Sequence, residues 1–165
     1  MAQGYHIGKF ENFGFHGHTE SMTLKKGYHC VYETHYHLVF PVKYCTALLN
    51  SEIEIALAKI TKEIELRYEL EVEKMGADND HIHILCSFHP KYSIGQIIRL
   101  YKSITGRELF KQHPEIKKEL WGGELWSDGY YAATVSKKGN WQVVENYIST
   151  QGLKPQDINL RLFPL

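Results

Sequence analysis

The stretch Asp80-His81-Ile82-His83-Ile84-Leu85 sets the frame of the fold. It has the composition of a β-strand, in which residues i and i+2 point to the same face. His81 and His83 therefore stand side by side, roughly 6–7 Å apart at their base, close enough for both rings to reach one cation. Ile82 and Ile84 fall on the other face and can be buried against helices. Taken alone, the pair is equally consistent with two half-exposed histidines that bind nothing.

Working outward, Leu70 to Met75 alternates apolar and charged residues, as a half-buried strand does. Gly76-Ala77-Asp78-Asn79-Asp80 is turn chemistry, so the two strands are expected to pair antiparallel. Upstream, Asn50 or Ser51 can cap a helix, with Glu54 completing a capping box from Ser51. Ile53, Ala56, Leu57, Ile60 and Ile64 carry that helix to about Arg67. Val31 to Val42 reads as one strand rich in β-branched and aromatic residues. Tyr32, Thr34, Tyr36, Leu38 and Phe40 lie on one face, and Val31, Glu33, His35, His37 and Val39 on the other. His35-Tyr36-His37 is a second His-x-His, set among mixed polar neighbours that favour a structural or DNA-contact role.

Downstream, Ser93 caps a second helix whose apolar face is Ile94, Ile97, Ile98, Tyr101 and Ile104 or Thr105. Arg99, Lys102 and Arg107 lie toward its other side, followed by Lys111, giving the most basic face in the chain. Trp121 to Asp128 is a loop or short strand, and Gly129 to Val135 is a strand. Trp141 to Thr150 is helical, with Gly152 as its stop. Strand, helix, strand, strand, helix, strand is a split β-α-β layout, with helices on one face of an antiparallel sheet. The expected class is α+β, with one further helix at the C-terminal side. Residues 1–27 read as an aperiodic, loosely ordered arm containing His6, His16 and His18, and residues 153–165 as a short tail.

The chain has 165 residues, 43% apolar and 23% charged, with eleven tyrosines and ten histidines. That length suits one domain with a real core. No apolar run approaches the ~20 residues needed to span a bilayer, and there is no signal-like N-terminus, so a cytoplasmic protein is expected. Cys30, Cys45 and Cys86, without C-x-x-C spacing, read as reduced and mostly packed thiols. The formal net charge is zero. Bulk charge therefore selects no partner, and any phosphate-binding surface must come from local clustering.

Tyr147 and Gln151, at i and i+4, share one face of the last helix. If that face lies over the sheet, His81, His83 and Gln151 can hold one divalent cation with water completing its shell. Two imidazoles and an amide oxygen suit Mn²⁺ or Mg²⁺ better than a closed structural zinc site. Such an open cation polarises a phosphodiester oxygen, and Tyr147 would be the nucleophile. Glu73 or Asp80 is placed to assist.

These motifs resemble the HUH single-tyrosine transposases (TnpA type) of the smallest bacterial insertion sequences. The resemblance runs over about residues 28–152. It is carried by His37-Leu38-Val39-Phe40 with Lys43-Tyr44, by Asp80 to Leu85, and by Lys102-Ser103-Ile104-Thr105-Gly106. It continues through Leu125-Trp126-Ser127-Asp128-Gly129-Tyr130-Tyr131 and Ala133-Thr134-Val135 to Glu145-Asn146-Tyr147-Ile148 with Gln151. It implies an HUH-nuclease fold with a ferredoxin-like sheet. It also implies cleavage and rejoining of single-stranded DNA at hairpin-marked ends through a 5′-phosphotyrosine. His81 and His83 match the histidine pair, Tyr147 the nucleophile, and Gln151 the residue that completes the shell of Mg²⁺ or Mn²⁺. The implied assembly is a homodimer in which the tyrosine helix of one subunit serves the histidines of the other, across the Ser136–Asn140 linker. Lys43, Arg99, Lys102, Arg107 and Lys111 are the expected DNA contacts. Cys45 departs from the pattern, which commonly has Arg after Lys-Tyr. Two rival functions fit the same residues: a domesticated nickase acting on host repeats, and a non-catalytic nucleic-acid binder using exposed tyrosines as stacking platforms.

Overall fold

The computed structural model describes residues 24–136 and 140–151. In chain order its elements are β1 (Lys25–Lys26), β2 (Val31–Tyr32), β3 (Tyr36–Pro41), α1 (Ser51–Tyr68), β4 (Leu70–Asp78), β5 (His81–Phe88), α2 (Ile94–Gln112), α3 (Pro114–Glu119), β6 (Tyr131–Thr134) and α4 (Trp141–Ser149). Four strands pair antiparallel in the order β4–β5–β3–β6. Because β5 lies between β3 and β4, β3–α1–β4 is a split β-α-β unit, as expected for a ferredoxin-like α+β fold.

Strand alternation builds the main core. Ile82, Ile84, Cys86 and Phe88 of β5 point to the same face as Leu38 and Phe40 of β3. They meet Ile53, Leu57, Ile60 and Ile64 of α1, and Ile97, Ile98, Tyr101 and Leu109 of α2. Strand β4 contributes Leu70 and Val72, then Met75 and Ala77. The spacing changes because the pairing with β5 shifts between Val72 and Lys74. A bulge adds one residue and moves the apolar set by one position. The adjacent polar residues Glu73 and Lys74 are its trace in the sequence.

Both long helices start at a side-chain cap. The Asn50 side-chain oxygen accepts from the backbone N–H of Glu52 and Ile53 at 3.1 and 3.0 Å, so Asn50, not Ser51, caps α1. Ser93 and Gln96 form a reciprocal capping box at α2, with bonds of 3.2 and 2.8 Å. A third helix that the sequence pattern did not reveal, α3, begins at Pro114, where proline's fixed φ suits a first helical position.

The structure corrects three local expectations. The segment from Val31 to Val42 is not one strand: Val31–Tyr32 pairs with Lys25–Lys26, and the sheet strand begins at Tyr36. Lys25 and Lys26 are thus not part of a loose arm, and the Lys25 ammonium bonds to Glu71 and Ser87. The β4–β5 turn is Asn79-Asp80, with Gly76 and Ala77 inside β4. Its carbonyls are held by the backbone N–H groups of Leu49 and Val42, at 2.8 and 2.7 Å. Of the cysteines, Cys86 is buried but Cys45 is exposed. The rest of the arm with His6, His16 and His18, linker residues 137–139 and the tail lie outside the described residues. Among the described residues, no helix is long and apolar enough to cross a membrane.

Phe40 is fully buried against the rings of Tyr101 and Trp126. Phe40→Ala removes that packing and leaves a cavity. It is expected to lower unfolding free energy by about 3–5 kcal/mol, measured by urea denaturation.

Candidate active site

The second face of the sheet carries the polar residues of the same strands. His81, His83 and Leu85 project from β5 and His37 from β3. Helix α4 lies over them, burying Ile148 against Leu85 and Val135, with Trp141, Val144 and Tyr147 packed alongside. Its close approach depends on Gly76, which pairs with His83 in the β4–β5 ladder. A Cβ at Gly76 would stand 2.5 Å from the Ile148 carbonyl oxygen and 3.4 Å from the Gln151 Cβ. A glycine inside a strand commonly marks such a close approach. The start of α4 is held where the Trp141 ring meets the edge of His35, with centroids 4.9 Å apart.

This packing brings His81, His83, Tyr147 and Gln151 together. The His81 and His83 ring centroids are 4.9 Å apart, and those of His83 and Tyr147 are 5.2 Å apart, edge to face. Gln151 sits one turn beyond Tyr147 and its Nε2 donates to the Tyr147 carbonyl at 3.3 Å. Among the described residues, three buried polar atoms here have no hydrogen-bond partner: His83 Nε2, the Tyr147 hydroxyl and Gln151 Oε1. Leaving such groups unpaired away from water costs about 1–3 kcal/mol each. Two imidazoles and an amide oxygen form a donor set that fits a divalent cation with open positions. Among the described residues no three His, Cys, Asp or Glu side chains are grouped to hold a metal. A cation here therefore depends on the Gln151 amide.

Burial sets the electrostatics. It pushes the His83 imidazole down to about 3, with His81 and His37 adding to the effect, and it pushes His37 down to about 4. Both rings are neutral near pH 7, the form that ligates metals. Burial raises the Tyr147 phenol above its usual range; Gln151 offsets part of this and the Asp78 charge adds to it. The unaided phenol is thus a weak nucleophile, and attack at neutral pH needs compensating positive charge.

Other sequence candidates separate. Asp80 touches the site, because His81 Nδ1 lies 2.6 Å from its carboxylate. Glu73 does not; it bonds to His35 Nδ1 at 2.8 Å near Trp141. Lys43 is engaged by Glu124 at 2.7 Å and by Asp128 at 3.5 Å. Lys102 donates to the carbonyls of Ser127 and Gly129 at 2.8 and 2.7 Å and lies over the Phe40 and Tyr130 rings. It ties α2 to the following loop. Arg99, Arg107 and Lys111 are exposed. Arg99 and Arg107 line a groove of about 580 Å³ between α2 and that loop, together with Phe110, Trp126 and Tyr130. His37 was missed as a site residue: its Nε2 lies 2.9 Å from His83 Nδ1. The signal available was its place on the same face as Val39, which pairs with His83.

A family model described as "Transposase IS200 like" matches residues 30–151. The chain belongs to this family. The ISDra2 transposase TnpA of Deinococcus radiodurans is 35% identical over 130 residues, covering 79% of this chain and 92% of that protein. The transposase for insertion sequence element IS200 of Salmonella typhimurium is 28% identical over 123 residues, covering 74% and 80%. A crystal structure of a candidate transposase from Deinococcus radiodurans R1 superposes with TM-score 0.64 at 31% identity, covering 78% of this chain and 98% of that one. A REP-associated tyrosine transposase bound to a REP hairpin shares the fold, with TM-score 0.52 at 8% identity, covering 77% and 70%. This protein is a DNA transposase of the HUH single-tyrosine class, with the α+β fold of that class.

Two outcomes are expected of this transposase. Gly76→Ala displaces α4 from the histidines, and should lower transposition about 100-fold, as misplacement of reacting groups by an ångström does. The main-core melting temperature should change little. Second, below pH 6.5 the unfolded chain protonates His37 and His83 while the folded chain does not. Their depressed folded values make the stabilisation complete above pH 6.5 and progressively lost as pH falls toward about 3. Urea unfolding across this window should show a shallower pH dependence in the double variant His37→Gln, His83→Asn than in the wild type.

Proposed function

We propose that this transposase cleaves and rejoins single-stranded DNA by transesterification through Tyr147. The observation that carries this reading is that His83 packs on Tyr147, Gln151 bonds back to Tyr147, and among the described residues His83 Nε2, the Tyr147 hydroxyl and Gln151 Oε1 are buried and unpartnered. His81, His83 and Gln151 would hold Mg²⁺ or Mn²⁺, which supplies Lewis-acid polarisation of the phosphodiester when bound. The Tyr147 oxygen attacks phosphorus as the P–O3′ bond breaks, and the phenolic proton ends on the departing 3′ oxygen, which leaves as a free hydroxyl. The 5′ phosphate stays on tyrosine and keeps the energy of the broken ester. A 3′ hydroxyl then attacks that phosphotyrosine, forming a new DNA bond and releasing Tyr147, without ATP.

Arg99, Arg107 and Lys111 would meet the phosphates, with the groove beside α2 receiving part of a folded single strand. Hairpin recognition at element ends is supported by the motif resemblance and by the relative solved with a REP hairpin. We further propose a homodimer. In this chain α4 covers its own histidines; in the proposed homodimer the active site is shared, with a partner's α4 taking the same seat at Gly76.

The test is incubation with labelled single-stranded hairpin DNA and Mg²⁺ or Mn²⁺, followed by denaturing electrophoresis. A covalent protein–DNA adduct is expected for the wild type and none for Tyr147→Phe, with folding retained. Adducts persisting in Tyr147→Phe would assign the nucleophile to another tyrosine.

A further inference from the structure

We propose that His37 is a positioning residue: by accepting a hydrogen bond from His83 Nδ1–H, it fixes the tautomer that leaves His83 Nε2 a bare lone pair beside the Tyr147 ring. The inference rests on the reading of His83 as a metal ligand and adds to it a residue from a different strand.

The geometry allows two proton arrangements along the 2.9 Å contact between His37 Nε2 and His83 Nδ1. In one, His83 Nδ1–H donates to the His37 lone pair, and His37 carries its proton on Nδ1. In the other, His37 Nε2–H donates to His83 Nδ1, and the His83 proton sits on Nε2. The second aims an N–H donor into a buried spot where His83 Nε2 has no acceptor in reach, and it blocks the nitrogen that could ligate a cation. The first leaves a lone pair that a cation satisfies. Metal-binding histidines commonly donate their other ring N–H in this way.

The surroundings hold His37 to this task. Its ring lies nearly parallel to that of His83, at 22° with centroids 5.2 Å apart, and the edges of Tyr131 from β6 and Tyr147 from α4 close around it at 5.7 and 6.3 Å. His81 is treated alike, with its Nδ1 on Asp80 at 2.6 Å. Both histidines of the strand thus have Nδ1 occupied and Nε2 available. They differ in the acceptor: a carboxylate for His81, a neutral imidazole for His83. The buried ligand is oriented without adding negative charge to the dry side of the site.

The experiment uses the full chain. Two-bond ¹H–¹⁵N imidazole spectra of metal-free protein should show His83 protonated at Nδ1 in the wild type and in His37→Gln, whose amide oxygen keeps an acceptor. In His37→Ala the proton should move to Nε2. Mn²⁺ titration followed by electron paramagnetic resonance should show affinity reduced about 10–100-fold in His37→Ala, and largely recovered in His37→Gln. If His37→Ala does not fold, His37→Asn removes the bond with a side chain too short to span it and serves in its place. A wild-type His83 protonated at Nε2, or Mn²⁺ affinity unchanged without the acceptor, overturns the proposal. Absence of Mn²⁺ binding in wild type would instead overturn the metal-site reading, because the tautomer is read without metal.

Discussion

The contact between α4 and Gly76 is the constraint on which the site depends. Two apolar side chains, Ile148 and Val144, would pack on many sheets. What fixes the height of this helix is the missing Cβ opposite His83. With it, the Tyr147 hydroxyl and the Gln151 amide sink to the level of the imidazoles and lose their water. Burial then makes the phenol harder to ionise and keeps the His37 and His83 imidazoles neutral. Both effects suit the cation proposed for this site.

The split β-α-β order was legible because each element has its own period or cap. The paired histidines were legible because strand alternation places i and i+2 together. Tyr147 and Gln151 were legible as a helical i, i+4 pair, and the motif order tied them to the strand. Gly76 reads as turn chemistry, since a glycine followed by Ala-Asp-Asn-Asp looks the same whether it bends the chain or admits a helix. His37 reads as structural or DNA-contacting because its partner is 46 positions away, and periodicity along one strand cannot show what the neighbouring strand presents. The bulge at Glu73 was written in two adjacent polar residues but resembled plain alternation.

The burial of β5 on both faces also bears on the site. Ile82 and Ile84 lie in the main core while Leu85 lies in the smaller cluster under α4. The strand that carries the histidines is thus clamped between two apolar layers, and its imidazoles ride on backbone that has little freedom to shift. That rigidity suits a site whose geometry must be ready before the reacting groups arrive.

The capture of Lys102 by the carbonyls of Ser127 and Gly129, and of Lys43 by Glu124, changes what salt should do to this protein. Binding to a nucleic acid strand is driven largely by release of condensed counterions, with a logarithmic slope of about −0.7 per phosphate neutralised on single strands. Of the five cationic side chains expected to meet DNA, Arg99, Lys111 and Arg107, the last paired with Glu108 at 3.2 Å, are the exposed ones that could displace them. One chain would then show a slope of only about −2. Its grip on DNA would be closer to that of a shape reader than of a polycation, tolerant of ionic strength and sparing toward unstructured strands.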